Sequence, residues 1–132
     1  MPRRRPSEVA PLDRCAVRAV DADRVAAARR RLPADGELAG LTDLFRLLGD
    51  PTRARLLYAL LEAGELCVCD LAAAIAATET TVSQALRLLR TAGVVRSRRT
   101  GRRIHYRLED AHVRMLLDLS REHLRHSGGE EG

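Results

Sequence analysis

The chain has 132 residues, 45% of them hydrophobic, and a formal net charge of +5, which bounds it to one domain with short tails and gives it a surface suited to an anionic partner. With no Trp, one Phe and two Tyr, its core must be aliphatic, and the composition argues against RNA modules that stack bases on exposed rings. No stretch approaches the roughly 18 apolar residues of a membrane span, and the opening MPRRRPSEV lacks a signal peptide's apolar run, so a cytoplasmic chain without a membrane partner is expected.

Residues 1 to about 20 hold Arg3, Arg4, Arg5, Pro2, Pro6 and Pro11 with little periodicity, and read as a flexible arm carrying Cys15. Asp21 or Asp23 caps a first helix over Arg24 to Leu32, stopped by Pro33. A second helix, Glu37 to about Leu48, aligns Leu38, Leu41, Phe45 and Leu48 on one stripe, with Gly49 as its C′ residue. Asp50 and Pro51 open a third helix to about Glu62 that buries Leu56, Leu57, Leu60 and Leu61, and Gly64 closes it. These helices read as scaffold.

A short helix follows from Cys67 to about Ile75, and Thr78 caps the next. In that helix Val82, Ala85, Leu86 and Leu89 fall at i, i+3, i+4, i+7 and form a core face. Thr80, Gln84, Arg87 and Thr91 share the opposite face. Thr80, Thr81, Ser83, Gln84 and Arg87 are residue types that reach base edges and phosphates in a major groove. A strand starts at Val94-Val95, Arg98 to Arg103 form a basic turn, and Ile104 to Leu108 alternate as a second strand. Arg98, Arg99, Arg102 and Arg103 are the candidates for flanking phosphates. The whole is mainly α with a small β-hairpin, a winged helix-turn-helix over residues 21–126, followed by a disordered tail at 127–132. A helical hairpin with a solvated Arg-rich loop is the competing reading. It does not account for the polar face on the helix before the loop.

Three cysteines in a cytosolic chain favour metal or redox chemistry over a disulfide framework. Cys67 and Cys69 are separated by one residue, and in a regular helix such an i, i+2 pair points about 200° apart, so both must sit at the irregular first turn. A helix N-terminus lowers a thiol's pKa and favours soft-metal binding. Packing as small hydrophobes is the alternative. Two ligands are too few for a tetrahedral site, so Cys15 would supply a third, with Asp70 or a water as a fourth.

Glu109 and Asp110 cap a last helix to about His126, with Val113, Leu116, Leu117, Ser120 and Leu124 as its apolar face. His112, His123 and His126 fall within roughly 60° of one another around it. His123 and His126 can share one ion, whereas His112 is about 16 Å back along the axis. If two copies of this helix pair antiparallel, Asp110 and His112 of one meet His123 and His126 of the other, as a tetrahedral site suited to zinc or cobalt. Surface histidines on an ordinary helix are the other reading. His105 reads as a strand residue.

Over roughly residues 36 to 126 the chain resembles the ArsR/SmtB family of metal-sensing repressors. The resemblance rests on Gly49-Asp50-Pro51-Thr52-Arg53, the box Glu65-Leu66-Cys67-Val68-Cys69-Asp70-Leu71, Val82-Ser83-Gln84-Ala85-Leu86 and the wing Gly101-Arg102-Arg103. The box is similar to that of the CadC-type branch, which implies that Cys67, Cys69 and the arm's Cys15 bind cadmium, lead or zinc. Ala19 stands where that branch often has another cysteine. The family's second site type implies that Asp110, His112, His123 and His126 ligate metal across a dimer. Gln84 departs from the family's common His.

The resemblance therefore implies a homodimeric repressor that binds double-stranded operator DNA, releases it when a divalent heavy metal binds, and controls resistance or efflux genes. A redox-responsive repressor using the same cysteines is the alternative. An enzyme is disfavoured by the lack of HExxH, P-loop and G-x-S-x-G patterns, and no small organic substrate is expected. A ligand-free architectural DNA module is a third reading.

Overall fold

The computed structural model describes residues 20–131, and the chain divides into two compact units between Ala39 and Gly40. In the first unit, helix α1 (Ala22–Arg31) starts where the Asp21 carboxylate accepts the Arg24 amide at 2.9 Å. It ends two residues before Pro33, and none of its residues is buried. Helix α2 (Asp35–Leu48) begins in this unit and continues into the second.

In the second unit the core is built by leucines of α3 (Pro51–Ala63). Asp50 caps this helix by accepting the Arg53 amide, and Pro51 occupies its first turn. Leu56, Leu57 and Leu60 are fully buried, while Leu61 is only partly so. Leu44, Leu47 and Leu48 of α2 pack on this core, whereas Phe45, expected on the inward stripe, is 62% exposed. Leu38 is exposed as well. Apolar residues occupy two adjacent faces of α2, so periodicity alone points to a face about one residue off. Gly49 is not left-handed as expected; its amide bonds to the Phe45 and Arg46 carbonyls, and a Cβ there would lie 3.3 Å from the Phe45 oxygen. A positive φ is found instead at Gly64, the C-cap of α3, at φ 88.

Leu66–Cys67 form a strand, β1, and the next helix, α4 (Val68–Ile75), starts one residue later than expected. Thr78 caps α5 (Glu79–Thr91), accepting the Thr81 amide at 3.0 Å. Val82, Ala85, Leu86 and Leu89 are all buried, as the spacing requires. Strands β2 (Val95–Thr100) and β3 (Arg103–Leu108) follow. The expected six-residue basic turn is a two-residue one: Thr100 pairs with Arg103, Gly101 has φ 63 and Arg102 a negative φ, the signature of a type II′ hairpin. The sheet has three strands rather than two, in the order β1-β3-β2, with Leu66 opposite Tyr106 and Cys67 opposite His105. A two-residue strand is too short to announce itself by alternation; it forms because β3 offers a free edge.

Helix α6 (Ala111–Glu131) runs past His126 through the segment expected as a tail. It docks on α3 through buried Leu117, a hydrogen bond from the Tyr58 hydroxyl to the Leu117 carbonyl at 2.7 Å, and the Arg121 guanidinium over the Tyr58 ring. Val113 also packs inward, but Leu116, Ser120 and Leu124, expected on the same face, are exposed. The apolar residues divide between two sides of this helix, Val113 and Leu117 against the core and Met115, Leu116 and Leu119 away from it. No described helix is long and apolar enough to cross a membrane.

Truncating Leu89, fully buried on α5, should cost about 2–5 kcal/mol of stability by lost burial and the cavity left behind. Truncating its half-exposed neighbour Leu88 should change stability by about 0.5 kcal/mol or less. Urea unfolding of Leu89→Ala and Leu88→Ala checks this, and equal losses would contradict the orientation of α5.

Candidate nucleic-acid interface and metal-ligand residues

Because α5 buries Val82, Ala85, Leu86 and Leu89, its other side is committed to solvent. At about 100° per residue the exposed arc runs in the order Arg90, Ser83, Arg87, Thr80, Thr91, Gln84, Leu88, Thr81. All eight are exposed. Five of them are the residues expected to face DNA. Thr81 lies at the arc's edge, where its hydroxyl oxygen accepts the Thr78 hydroxyl at 3.0 Å. A helix with such a face, presented by a preceding short helix and flanked by a hairpin, has the dimensions to enter a major groove.

The pleat divides the wing arginines in a way the sequence conceals. Directly opposed residues share a sheet face, and neighbours along a strand alternate. Arg99 opposes Ile104 and Ser97 opposes Tyr106, so Arg99 lies on the face whose Tyr106 lines a cleft with α5. Arg98 opposes His105 and Thr100 opposes Arg103, which puts Arg98 and Arg103 on the other face together with Cys67. There Glu65 grips Arg98 through two bonds, Nε to Oε2 at 2.8 Å and NH2 to Oε1 at 2.7 Å, while NH1 donates to Thr100. Arg103 donates to the Cys67 sulfur at 3.7 Å. Arg102 occupies the turn. Of the four wing arginines, Arg99 and Arg102 have guanidinium groups without partners among the described residues.

The cysteines sit where the spacing put them, at the irregular start of α4. Cys67 is its extended N-cap and is buried, and Cys69 is exposed in the first turn. The expected lowering of thiol pKa is reversed for Cys69, whose S–H donates to Glu79 Oε2 at 3.2 Å, and the carboxylate pushes the thiol up. Cys15 lies outside the described residues. Two soft donors fit a thiophilic ion in kind but not in number.

On α6, Asp110 is the N-cap, its Oδ1 accepting the His112 and Val113 amides at 3.0 and 3.2 Å, while Oδ2 lies 3.6 Å from His112 Nδ1. The Val113 amide leads in holding its carboxyl below the ordinary range, and the His112 contacts add to this. The capping role leaves one carboxylate oxygen beside an imidazole, a donor pair suited to zinc. His123 and His126 follow three and four turns along the exposed side of the helix. No three candidate ligands converge within one copy among the described residues. His105, in β3 as expected, has a buried Nδ1 with no hydrogen-bond partner; sequence offered no sign of that.

Residues 50–97 match the family model described as bacterial regulatory protein, arsR family. A cadmium resistance transcriptional regulatory protein CadC homolog of Staphylococcus aureus is 35% identical over 113 residues, 86% of this chain and 93% of that one. The chain belongs to the arsR family of bacterial regulatory proteins. The crystal structure of the antimony-specific transcriptional repressor AntR superposes with a TM-score of 0.67 at 37% identity, covering 74% of this chain and 88% of that one. A homodimeric winged helix-turn-helix DNA-binding domain from Mycobacterium bovis, a possible ArsR-family regulator, gives 0.61 at 30% identity over 83% and 95%. The arsR-family fold is thus a winged helix-turn-helix, and these relatives are transcriptional regulators rather than enzymes. Their names carry different elements, cadmium and antimony.

The Glu65–Arg98 pair yields a test with a definite sign. Arg98 leads in holding the Glu65 carboxyl below its ordinary value of 4.5, so the pair's contribution is fully present above that value and fades as pH falls through the lowered one. Wild type and Glu65→Gln should differ in urea midpoint by a constant amount at neutral pH and converge in acid. Curves that stay parallel into acid would show that the carboxylate does not hold the wing.

Proposed function

We propose that the protein is a homodimeric, metal-released transcriptional repressor acting in the cytoplasm on genes of metal resistance or efflux, with zinc, cadmium or lead as its ligand class. The observation that carries this reading is the exposed polar arc of α5 beside two wing arginines without partners among the described residues, in a chain 35% identical over 86% of its length to a CadC homolog. Thr80, Thr81, Ser83, Gln84 and Arg87 read base edges, and Arg99 and Arg102 hold flanking phosphates. Arg98 and Arg103, turned to the other face and held by Glu65 and Cys67, fix the wing's position in this reading and reach phosphate only if those contacts open.

Cys67 and Cys69, with Cys15, would hold a thiophilic ion. Asp110 and His112, with His123 and His126 of a second copy, would hold a zinc-like one. A bound ion supplies Lewis-acid coordination in place of the protons and hydrogen bonds these groups now carry. The chain's own residues do the rest. Cys69 must give up its contact with Glu79, at the first turn of α5. Cys67 would exchange its thiol proton for the ion, which alters its contact with Arg103 of the wing. Either exchange alters what positions the two DNA-contacting elements, which is how a ligand with different affinities for two states shifts an equilibrium.

Fluorescence anisotropy of the metal-free protein on its own upstream DNA should show binding that weakens steeply with salt. Zinc or cadmium should weaken it further, by about 5- to 150-fold for a coupling of ordinary size, and a chelator should restore it. Cys67→Ser with Cys69→Ser, against His123→Ala with His126→Ala, assigns the site that drives release. Tight binding that no ion of this class moves would sink the metal reading and leave the DNA reading intact.

A further inference from the structure

A cleft of about 510 Å³ opens between the C-terminal half of α5 and strand β3, lined by Ser83, Leu86, Arg87, Arg90, Thr91 and Tyr106. Its floor is Leu86 and the half-buried Tyr106, and its rim is four exposed polar side chains. Arg87 and Arg90 stand three residues apart on one helix face, and neither has an ion pair or side-chain hydrogen bond among the described residues. No acidic side chain lines the cleft. Two cationic side chains three residues apart on a helix face repel one another unless an anion lies between them. The hydroxyls of Ser83, Thr91 and Tyr106 add neutral donors of the kind that bond phosphate oxygens.

Position selects the anion. Around α5, Arg90 and Ser83 form one margin of the exposed arc, and Gln84 lies about 120° away. When Gln84 and Thr80 face base edges, the Arg90 margin faces a wall of the groove, where the sugar-phosphate backbone runs. Another cleft offers a contrast: there Arg98, Arg107 and Arg114 are interleaved with Glu65, Glu109 and Asp110, so its charge is largely balanced.

We propose that the cleft between α5 and β3 binds one phosphodiester of the DNA backbone, with Arg90 and Tyr106 as its anchoring residues. Arg87 spans the cleft and the base-reading arc. The inference rests on the reading of α5 as the groove-entering helix, and it adds residues to that surface which the sequence did not single out. A phosphate here, on the flank away from Gln84, fixes the rotation of α5 in the groove, so it acts on affinity for any sequence.

The test compares wild type, Arg90→Gln, Tyr106→Phe and Gln84→Ala on upstream DNA and on a scrambled duplex, by anisotropy across a salt series. Arg90→Gln should weaken both duplexes by the same several-fold factor and lower the slope of log affinity against log salt by about 1. Tyr106→Phe should weaken both by a smaller equal factor with the slope unchanged, because the lost donor is neutral. Gln84→Ala should weaken only the upstream DNA. An Arg90→Gln protein with unchanged affinity and slope, beside a wild type that binds steeply, would overturn the cleft and leave the repressor reading standing. A wild type that ignores duplex DNA would overturn both. Inorganic phosphate distinguishes the source: saturable millimolar binding that shifts the Arg90 side-chain resonance without DNA would assign the cleft to a free phosphate instead. Arg90 is exposed, so an unchanged melting curve verifies that the variant is folded.

Discussion

Burial of four side chains on one helix governs this molecule. Val82, Ala85, Leu86 and Leu89 close onto Leu56, Leu57, Leu60 and Leu71 in one cluster, each at least nine-tenths buried. Rotating α5 by one residue would bring a Thr, Gln or Arg into that cluster, at a desolvation cost that nothing there could offset with hydrogen bonds. The exposed arc is therefore fixed by the core and not by any contact it makes itself. The cap reinforces the same choice, since Thr78 holds the helix start through the Thr81 amide. A surface set by packing behind it is pre-organised, so the proposed contact with DNA need not include the cost of orienting it.

The wing is governed differently. A two-stranded hairpin is marginal in water, and here the third strand and the Glu65–Arg98 pair hold it to the body. That attachment runs through the segment that carries both described cysteines. Residues 65 to 69 supply Glu65 to Arg98, Cys67 to Arg103 and Cys69 to Glu79 of α5. One five-residue stretch thus touches both elements proposed to meet DNA. Exposed ion pairs contribute little to stability, so the importance of these contacts lies in position: they join the cysteine-bearing stretch to both elements.

Sequence carried the helices, their caps and the buried row on α5, because each is written in local chemistry. Asp50 before Pro51, Thr78 before Glu79 and the spacing of Val82 to Leu89 all state their structure within a few residues. The misreadings share a different cause. Strand β1 exists only through pairing with β3, some 40 positions away in register. The division of Arg98 and Arg103 from Arg99 follows from a register that a run of arginines does not display. The choice between faces on α2 and α6 depended on which of two apolar sides met the core. The rise of the Cys69 thiol depended on Glu79, ten residues on. Non-local contacts decided each case.

The sides of α6 that misled periodicity also bear on how many copies make the working unit. Met115, Leu116 and Leu119 are 55%, 38% and 60% exposed, on the side of the helix where His112, His123 and His126 stand. A single copy leaves that apolar side in water and leaves each pair of candidate ligands short of a tetrahedral set. A second copy related by a two-fold axis would answer both deficits with one surface, because an isologous contact of antiparallel helices brings the start of one beside the end of the other. The same axis would set two copies of α5 side by side, which turns one polar arc into a reader of paired half-sites. Apolar burial would then assemble the dimer and the proposed coordination would adjust it, so that metal would act on an interface already held together.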